Sequence, residues 1–526
     1  MTWIVLGEDG GKIKFVSKND VTGLLPKGSY LTIEEKQTKF ILRVDNSSQH
    51  EPYSPSPMII DMDLSPLNPD QKCQNIITAY RIKDLTNRSD GLIEYIRPQL
   101  LARRSNQEEI DLAFGDIKEG PQVFLATVHS GQNQLLTDEK NSLITTRLPT
   151  DMFYHQMLIC GKTGSGKTVA TKYLAQYFIE ELGGAVLAIN VKDVDFLKMD
   201  KSSNTNNPQV IKEWDKLGQK AHGIDNFIVY YPANTIIGPT KGVNPDICQK
   251  ITLNVQEIDP ESLTGLLHGI TDAAAQNLPN IFRWWQEDRR KKRSKEDFTF
   301  SNFVNYFQEA QDNKYYFPTL NIRSDESAVT LHAGTYNNIL RNLNVAVDFF
   351  DNENAKSLSE RDILQPGKMS VIDVAGKNGI QFGSIVLRHL LNRIVSTKSE
   401  QKSEIPILII IDEVHQFYNT SASNEALGDL DTICRTGRSQ KIGVIFSSQN
   451  PTDIPSGLSS VINTKIFFKS DASAAKSHGI VISSDEMESL RKGFAGASIH
   501  ELPQLRILKF PMAFAGVYEE GGKQNE

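Results

Sequence analysis

Apolar and polar positions alternate in Lys39-Phe40-Ile41-Leu42-Arg43-Val44, the pattern of a strand with one buried face. Similar short runs at Lys12–Val16, Tyr30–Glu34, Met58–Met62 and Val123–Val128 are separated by Pro/Ser/Asn clusters such as Asn46–Pro57. Residues 1–130 therefore read as a small β-barrel or sandwich. It shows no catalytic cluster, which suits an assembly or docking module. From residue 131 the pattern changes. Strand-like runs at Met157–Cys160, Ala185–Asn190, Phe227–Tyr231, Ser370–Val374, Ile407–Ile411, Gly443–Ser447 and Lys465–Phe468 alternate with helical segments. Several runs are almost wholly apolar, as strands of a parallel sheet covered on both faces must be. Between them Leu263, Leu266, Leu267 and Ile270 recur at helical spacing, followed by Ile281, Phe282, Trp284, Trp285, Phe303, Tyr306 and Phe307. The expected organisation is an α/β core over 131–250 and 346–500, a helical insertion over 251–345, and an arm or tail over 501–526.

Composition narrows the class. A chain of 526 residues suggests about three domains. Its 39% hydrophobic and 23% charged content suits a globular protein with a substantial core. The strongly apolar stretch Ile405 to Ile411 stops at Asp412, far short of a membrane span. The N-terminus turns acidic at Glu8-Asp9 without a preceding basic region, so no secretory signal is expected. Cys73, Cys160, Cys248 and Cys434 are scattered without a C-x-x-C pair, and a reducing cytoplasmic setting is expected. A net charge of −7 argues against a surface coated in basic residues for nucleic acid. It leaves open a ring whose central pore carries a few basic residues from each subunit.

The chemistry is concentrated in three segments. Gly161-Lys162-Thr163-Gly164-Ser165-Gly166-Lys167-Thr168 fits G-x-x-x-x-G-K-[ST]. An apolar strand precedes it, and Val169, Leu174, Ala175 and Phe178 follow at helical spacing. Such a loop turns backbone N–H groups around phosphate oxygens at a helix N-terminus. Lys167 is expected to reach the β/γ-phosphates and the Thr168 hydroxyl to bind Mg²⁺. The second segment is Ile407-Leu408-Ile409-Ile410-Ile411-Asp412-Glu413, a buried strand ending in an acidic pair. Asp412 suits the Mg²⁺ shell and Glu413 the base that activates water. The intervening strand Ser370–Val374 is expected to supply the extra strand of the additional-strand, RecA-like class of P-loop ATPases. In the third segment, Gln449 follows strand Gly443–Ser447 and suits a γ-phosphate sensor, while Arg438 or Arg435 suits a cationic finger. Structural salt bridges are the alternative role for both arginines.

Together these segments resemble the HerA branch of the HerA/FtsK DNA-translocating ATPases. The resemblance rests on Tyr154-His155-Gln156-Met157 running into the glycine loop, on Asn190-Val191-Lys192-Asp193-Val194-Asp195-Phe196-Leu197, on Ile410-Ile411-Asp412-Glu413-Val414-His415-Gln416-Phe417, and on Arg435–Ser439 through Ser448-Gln449-Asn450-Pro451. Leu364–Asp373 also looks like that family's strand before the acidic pair. The resemblance covers residues 120 to 510 and implies a homo-hexamer with ATP sites between subunits and DNA in the pore. It supports Lys167 and Thr168 as nucleotide and metal contacts, Asp412 and Glu413 as the hydrolytic pair and Gln449 as sensor. It also raises Arg438 above Arg435 as the finger. Where many relatives have Gln-Arg-Pro, this chain has Gln449-Asn450-Pro451, a departure that puts in question any role that arginine plays.

Two basic features carry less. Arg289-Arg290-Lys291-Lys292-Arg293 reads first as the solvated end of a helix and second as a nucleic-acid contact. Lys377, in a loop after a central strand, is a candidate pore contact to DNA phosphates. His415 and His155 lack companion ligands, so Mg²⁺ is the one metal expected. The expected activity is an ATP-driven DNA translocase or helicase motor, working with a nuclease or an antiviral-defence effector and without a membrane. The alternatives are a nucleotide-controlled ring scaffold that regulates an effector enzyme, and, below it, a protein-remodelling ATPase.

Overall fold

The computed structural model describes residues 3–17, 24–36, 38–50, 74–85, 94–129, 132–192, 195–235, 242–266, 272–292, 298–376, 378–417, 437–454, 461–502 and 506–518. Two compact units divide the chain: Met1–Thr150 with Phe467–Pro511, and Asp151–Ile466 with Met512–Glu526.

In the first unit, β1 (Trp3–Asp9), β2 (Lys12–Ser17), β3 (Tyr30–Glu35), β4 (Thr38–His50), β5 (Gln74–Asp84) and β6 (Leu101–Arg104) close a barrel in the order β1-β2-β5-β4-β3-β6. Side chains alternate across each strand, so Ile13 and Phe15 point inward while Lys12 and Lys14 stay out. The inward set, including Trp3, Val5, Phe15, Leu31, Ile33, Phe40, Leu42 and Ile77, forms one core. Closure leaves no free sheet edge. Strands β2, β3 and β4 fall where the pattern predicts them, whereas Met58–Met62 lies outside the described residues. β1 and β5 escape the pattern because each breaks its own period. Register shifts occur between Val5 and Gly7 in β1 and, in β5, between Lys83 and Arg81 opposite Ile41/Leu42; a further shift, between Val44 and Asn46, falls in β4 just past its predicted run. The expected strand Val123–Val128 lies in β7 (Gln122–His129), outside the barrel, paired with β8 (Gln132–Leu135) and β9 (Thr145–Arg147).

In the second unit, β10 (Gln156–Cys160), β11 (Ala185–Asn190), β12 (Phe227–Pro232), β13 (Cys248–Thr252), β16 (Lys356–Ser357), β17 (Met369–Asp373), β18 (Ile407–Ile411), β19 (Ile442–Ser448) and β20 (Thr464–Phe467) are ordered β16-β13-β12-β17-β11-β18-β19-β10-β20. Along β16-β13-β12-β17-β11-β18-β19-β10 each neighbouring pair is parallel. Strands β10, β11, β17, β18 and β19 are buried along their whole length. This order corrects one expectation. Ser370–Val374 falls in and just beyond β17, which lies between β11 and β12. The strand between the phosphate-loop strand β10 and the acidic strand β18 is β19. Gly443 permits that placement, since a Cβ there would stand 1.7 Å from the Phe153 carbonyl oxygen. The parallel register brings the C-terminal ends of five strands to one edge: Cys160 faces Ser448, Ile411 faces Phe446 and Ile189, and Asn190 faces Asp373.

Helices Asp272–Lys292, Phe300–Glu309 and Ala333–Ala346 build the insertion around a cluster of Phe282, Trp285, Phe303, Phe307 and Tyr336. A hairpin of β14 (Tyr316–Leu320) and β15 (Glu326–Thr330) adds strand structure not expected there. The tail expected from 501 instead carries β22 (Arg506–Lys509), which pairs with β21 (Phe494–Ser498) and β7 in the first unit. After it, Phe514 packs on Tyr173, Trp214 and His222 in the second unit. Neither segment is long enough to show a period on its own.

Candidate active site

The loop after β10 is shaped by its glycines. Gly164 and Gly166 have φ of +78° and +107°, conformations that side-chain-bearing residues rarely adopt. Gly166 caps helix Lys167–Glu180 without a side-chain hydrogen bond, so no side chain competes for the first-turn amides. The Ser165 hydroxyl oxygen is buried with no hydrogen-bond partner. The Lys167 ammonium donates to the Gly161 and Lys162 carbonyls at 2.5 and 3.4 Å. Burial, reinforced by the Lys192 ammonium, holds Lys167 below the usual lysine range. Thr168 sits half-buried in the first helical turn.

Two strands away, β18 delivers Asp412 and Glu413, both buried. Asp412 Oδ1 accepts from the Ser447 hydroxyl at 2.7 Å, while Oδ2 is buried without a donor. Burial pushes this carboxyl above its ordinary range, and Glu413 and Asp195 add to the shift. Glu413 has a left-handed backbone, φ +46° and ψ 54°, an uncommon and strained state for a non-glycine residue. Its Oε1 accepts from Gln449 Nε2 at 3.0 Å and from the Lys192 ammonium. Burial alone would raise the Glu413 pKa, but these two partners hold it below the carboxylate range. Gln449 Oε1 in turn accepts from the Thr163 hydroxyl at 3.3 Å. One chain of contacts thus runs from the phosphate loop through the amide to the acidic pair.

Other candidates are placed less centrally. Arg438 is exposed, with its guanidinium 3.7 Å from Asp151. Arg435 and Lys377 lie outside the described residues. The basic run at the end of helix Asp272–Lys292 is matched by acids: Arg290 with Glu287, Lys292 with Asp288, Lys291 with Glu326. That is the solvated helix end. His415, read from sequence as lacking companions, has Nδ1 3.5 Å from Glu413 and 3.4 Å from Asp453. Sequence reasoning quoted Lys192 without a role, because nothing local to it signals a partner on another strand.

The glycine loop between strand and helix, with a buried acidic pair across one intervening strand, defines a P-loop ATPase fold of the additional-strand class. Residues 134–394 match the family model described as the central domain of helicase HerA. Over that stretch, just under half of its length, the chain is similar to the HerA family. It is 25% identical over 146 residues to the DNA double-strand break repair helicase HerA of Sulfurisphaera tokodaii, covering 27% of this chain and 29% of the relative. The same-named protein of Saccharolobus solfataricus is 24% identical over 179 residues, covering 32% and 36%. The chain thus spans about a third of the length of the curated relatives it matches. Among solved structures, the bacterial conjugative coupling protein TrwB matches at 13% identity and a TM-score of 0.49, over 80% of this chain and 94% of its own. VirB4 of Thermoanaerobacter pseudethanolicus matches at 13% identity and a TM-score of 0.44, over 75% and 97%.

Proposed function

We propose that this chain hydrolyses ATP with Mg²⁺ and uses the cycle to move duplex DNA, without sequence preference, through a homo-hexameric ring. The observation that carries this reading is the contact chain Thr163–Gln449–Glu413, which ties a phosphate-shaped loop to a strained, buried base. The loop amides of Gly161, Lys162, Thr163, Gly164, Ser165 and Gly166, together with Lys167, take the phosphates. The unsatisfied Ser165 hydroxyl and Asp412 Oδ2 are suited to an oxygen-rich ligand and its cation. Thr168 and Asp412 would hold Mg²⁺, which when bound would offset charge on the phosphates. Glu413, kept ionised by its partners, orients water and accepts its proton, while Gln449 reports the terminal phosphate to the base. Arg438 acts on a neighbouring subunit's nucleotide. Its ion pair to Asp151 is exposed and costs little to exchange.

The relatives' printed name, DNA double-strand break repair helicase, supports DNA as the cargo; a nuclease or a defence effector as partner is part of the proposal. Among the described residues no helix is long and apolar enough to cross a membrane. A cytoplasmic site of action belongs to the same reading. A second reading, a nucleotide-controlled scaffold for an effector enzyme, is favoured by the net charge of −7 and by the acid-paired basic run of the insertion. Steady-state ATP hydrolysis with and without linear duplex DNA separates them, with Glu413→Gln as the blank. Strong stimulation supports the motor. Turnover indifferent to DNA rejects it in favour of the scaffold.

A further inference from the structure

Lys192 follows the end of β11, beside β18 in the sheet, and its ammonium bonds Glu413 at the carboxyl end of the sheet. The two partners differ in exposure. The Glu413 side chain is 2% exposed and that of Lys192 38%, so the carboxylate is sealed while the ammonium still meets solvent. An ammonium has three donors in adjustable directions. Glu413 Oε1 keeps a second donor in Gln449 Nε2, so departure of the ammonium does not leave that oxygen bare. Lys192 also lies near enough to Lys167 to add to the burial that holds Lys167 below the usual lysine range, while Lys192 itself is held above it, against burial, by Glu413, Asp412 and Asp195. Two cations and two carboxylates, Asp412 and Glu413, therefore converge beside the phosphate loop. Asp195 adds a third carboxylate within electrostatic reach of Asp412 and Lys192, and a terminal phosphate adds further negative charge that one of the cations must answer.

We propose that Lys192 is a terminal-phosphate-discriminating residue whose ammonium exchanges Glu413 for the γ-phosphate when a triphosphate binds. The inference rests on the ATP-site reading and deepens it. With a diphosphate the ammonium stays on Glu413. With a triphosphate it crosses to the ligand and leaves the base held by Gln449 at Oε1, with His415 Nδ1 3.5 Å from Oε2, and available to take a proton from water. The exchange makes occupancy of the terminal phosphate position and release of the base a single event. Lys167 donates to the Gly161 and Lys162 carbonyls within the loop and is placed to meet the phosphates of either nucleotide, so it is the reference against which the preference is read.

The test measures dissociation constants of Mg·ADP and of Mg·adenylyl imidodiphosphate, a non-hydrolysable triphosphate, for the full chain and for Lys192→Met, Lys192→Arg and Lys167→Ala. Loss of one charge-assisted contact predicts that Lys192→Met binds the triphosphate about tenfold to a hundredfold more weakly, with ADP affinity changed by no more than about twofold. Lys192→Arg restores most of the preference, because it restores the cation. Lys167→Ala weakens both nucleotides and serves as the non-discriminating reference. Equal weakening of both nucleotides by Lys192→Met, accompanied by lost thermal stability, is the signature of a structural ion pair and overturns the proposal. Unchanged triphosphate affinity overturns it as well. If the wild-type chain binds neither nucleotide, the ATP-site reading itself is rejected, a result separable from both.

Discussion

Lys172 lies on the phosphate-loop helix, one and a half turns beyond Lys167, and is buried at 6% exposure. Its ammonium donates to the Gly516 carbonyl at 2.7 Å, fastening the segment after β22 to that helix. Burial lowers its pKa from 10.5 to about 8, only partly opposed by Asp195. The unfolded chain therefore holds this proton more tightly than the folded one, and stability must rise with pH between about 8 and about 10.5. Below pH 8 the full cost of the buried charge is present. At 1.36 kcal/mol per unit, a shift of about 2.5 units corresponds to roughly 3 kcal/mol. Lys172→Met removes that cost but leaves the Gly516 carbonyl without its donor, a loss of about 1–3 kcal/mol. Near pH 7 the variant should be close to wild type or slightly more stable. Between pH 7 and pH 9 the variant's advantage should shrink by roughly 1 kcal/mol, as the wild-type lysine loses its proton in the folded state. Urea unfolding of both proteins at the two pH values, followed by circular dichroism, measures the difference. A stability difference that does not change with pH refutes the reasoning, because it means the buried amine titrates as it does in the unfolded chain.

Three further outcomes are expected. Glu413→Gln should bind nucleotide but hydrolyse ATP at least about a hundredfold more slowly, and near-normal turnover in a phosphate-release assay would remove Glu413 as the base. Arg438→Ala should leave thermal stability within about 0.5 kcal/mol, since its ion pair with Asp151 is exposed, yet lower kcat by about a thousandfold if it serves the neighbouring site. Wild-type kcat in that variant would return the finger role to Arg435. Gly443→Ala drives a Cβ to 1.7 Å from the Phe153 carbonyl in a buried strand, so a loss of about 3 kcal/mol or more is expected, and an unchanged melting temperature would reject the β19 placement.

The legible parts of this protein are those whose cause is local. The phosphate loop was readable because its strand, its left-handed glycines and its helix are contiguous, and each residue type has one physical reason to be there. Ala185–Asn190 and Ile407–Ile411 were readable to the residue, because a strand buried on both faces must be a nearly unbroken apolar run ended by polar residues. The same property hid the order of those strands. A strand buried on both faces carries no face preference, so nothing in Met369–Asp373 or Ile442–Ser448 says which lies beside the phosphate-loop strand. β1 and β5 were missed for the opposite reason, since register shifts break the two-residue period in the barrel.

By itself the sequence determined the chemistry on offer: a loop that can hold phosphate, a carboxylate pair at a strand end, an amide and an arginine after it. These follow from residue type and short spacing, which backbone geometry converts directly into local shape. Only the tertiary structure decided which groups meet. Parallel pairing brought β10, β19, β18 and β11 into one register, and that register placed Thr163, Gln449, Glu413 and Lys192 in contact from four separate stretches of chain. It also returned β22 to the first unit and Phe514 to the second. Contacts between distant segments depend on which buried surfaces fit together, and no window of the sequence contains both sides of that fit.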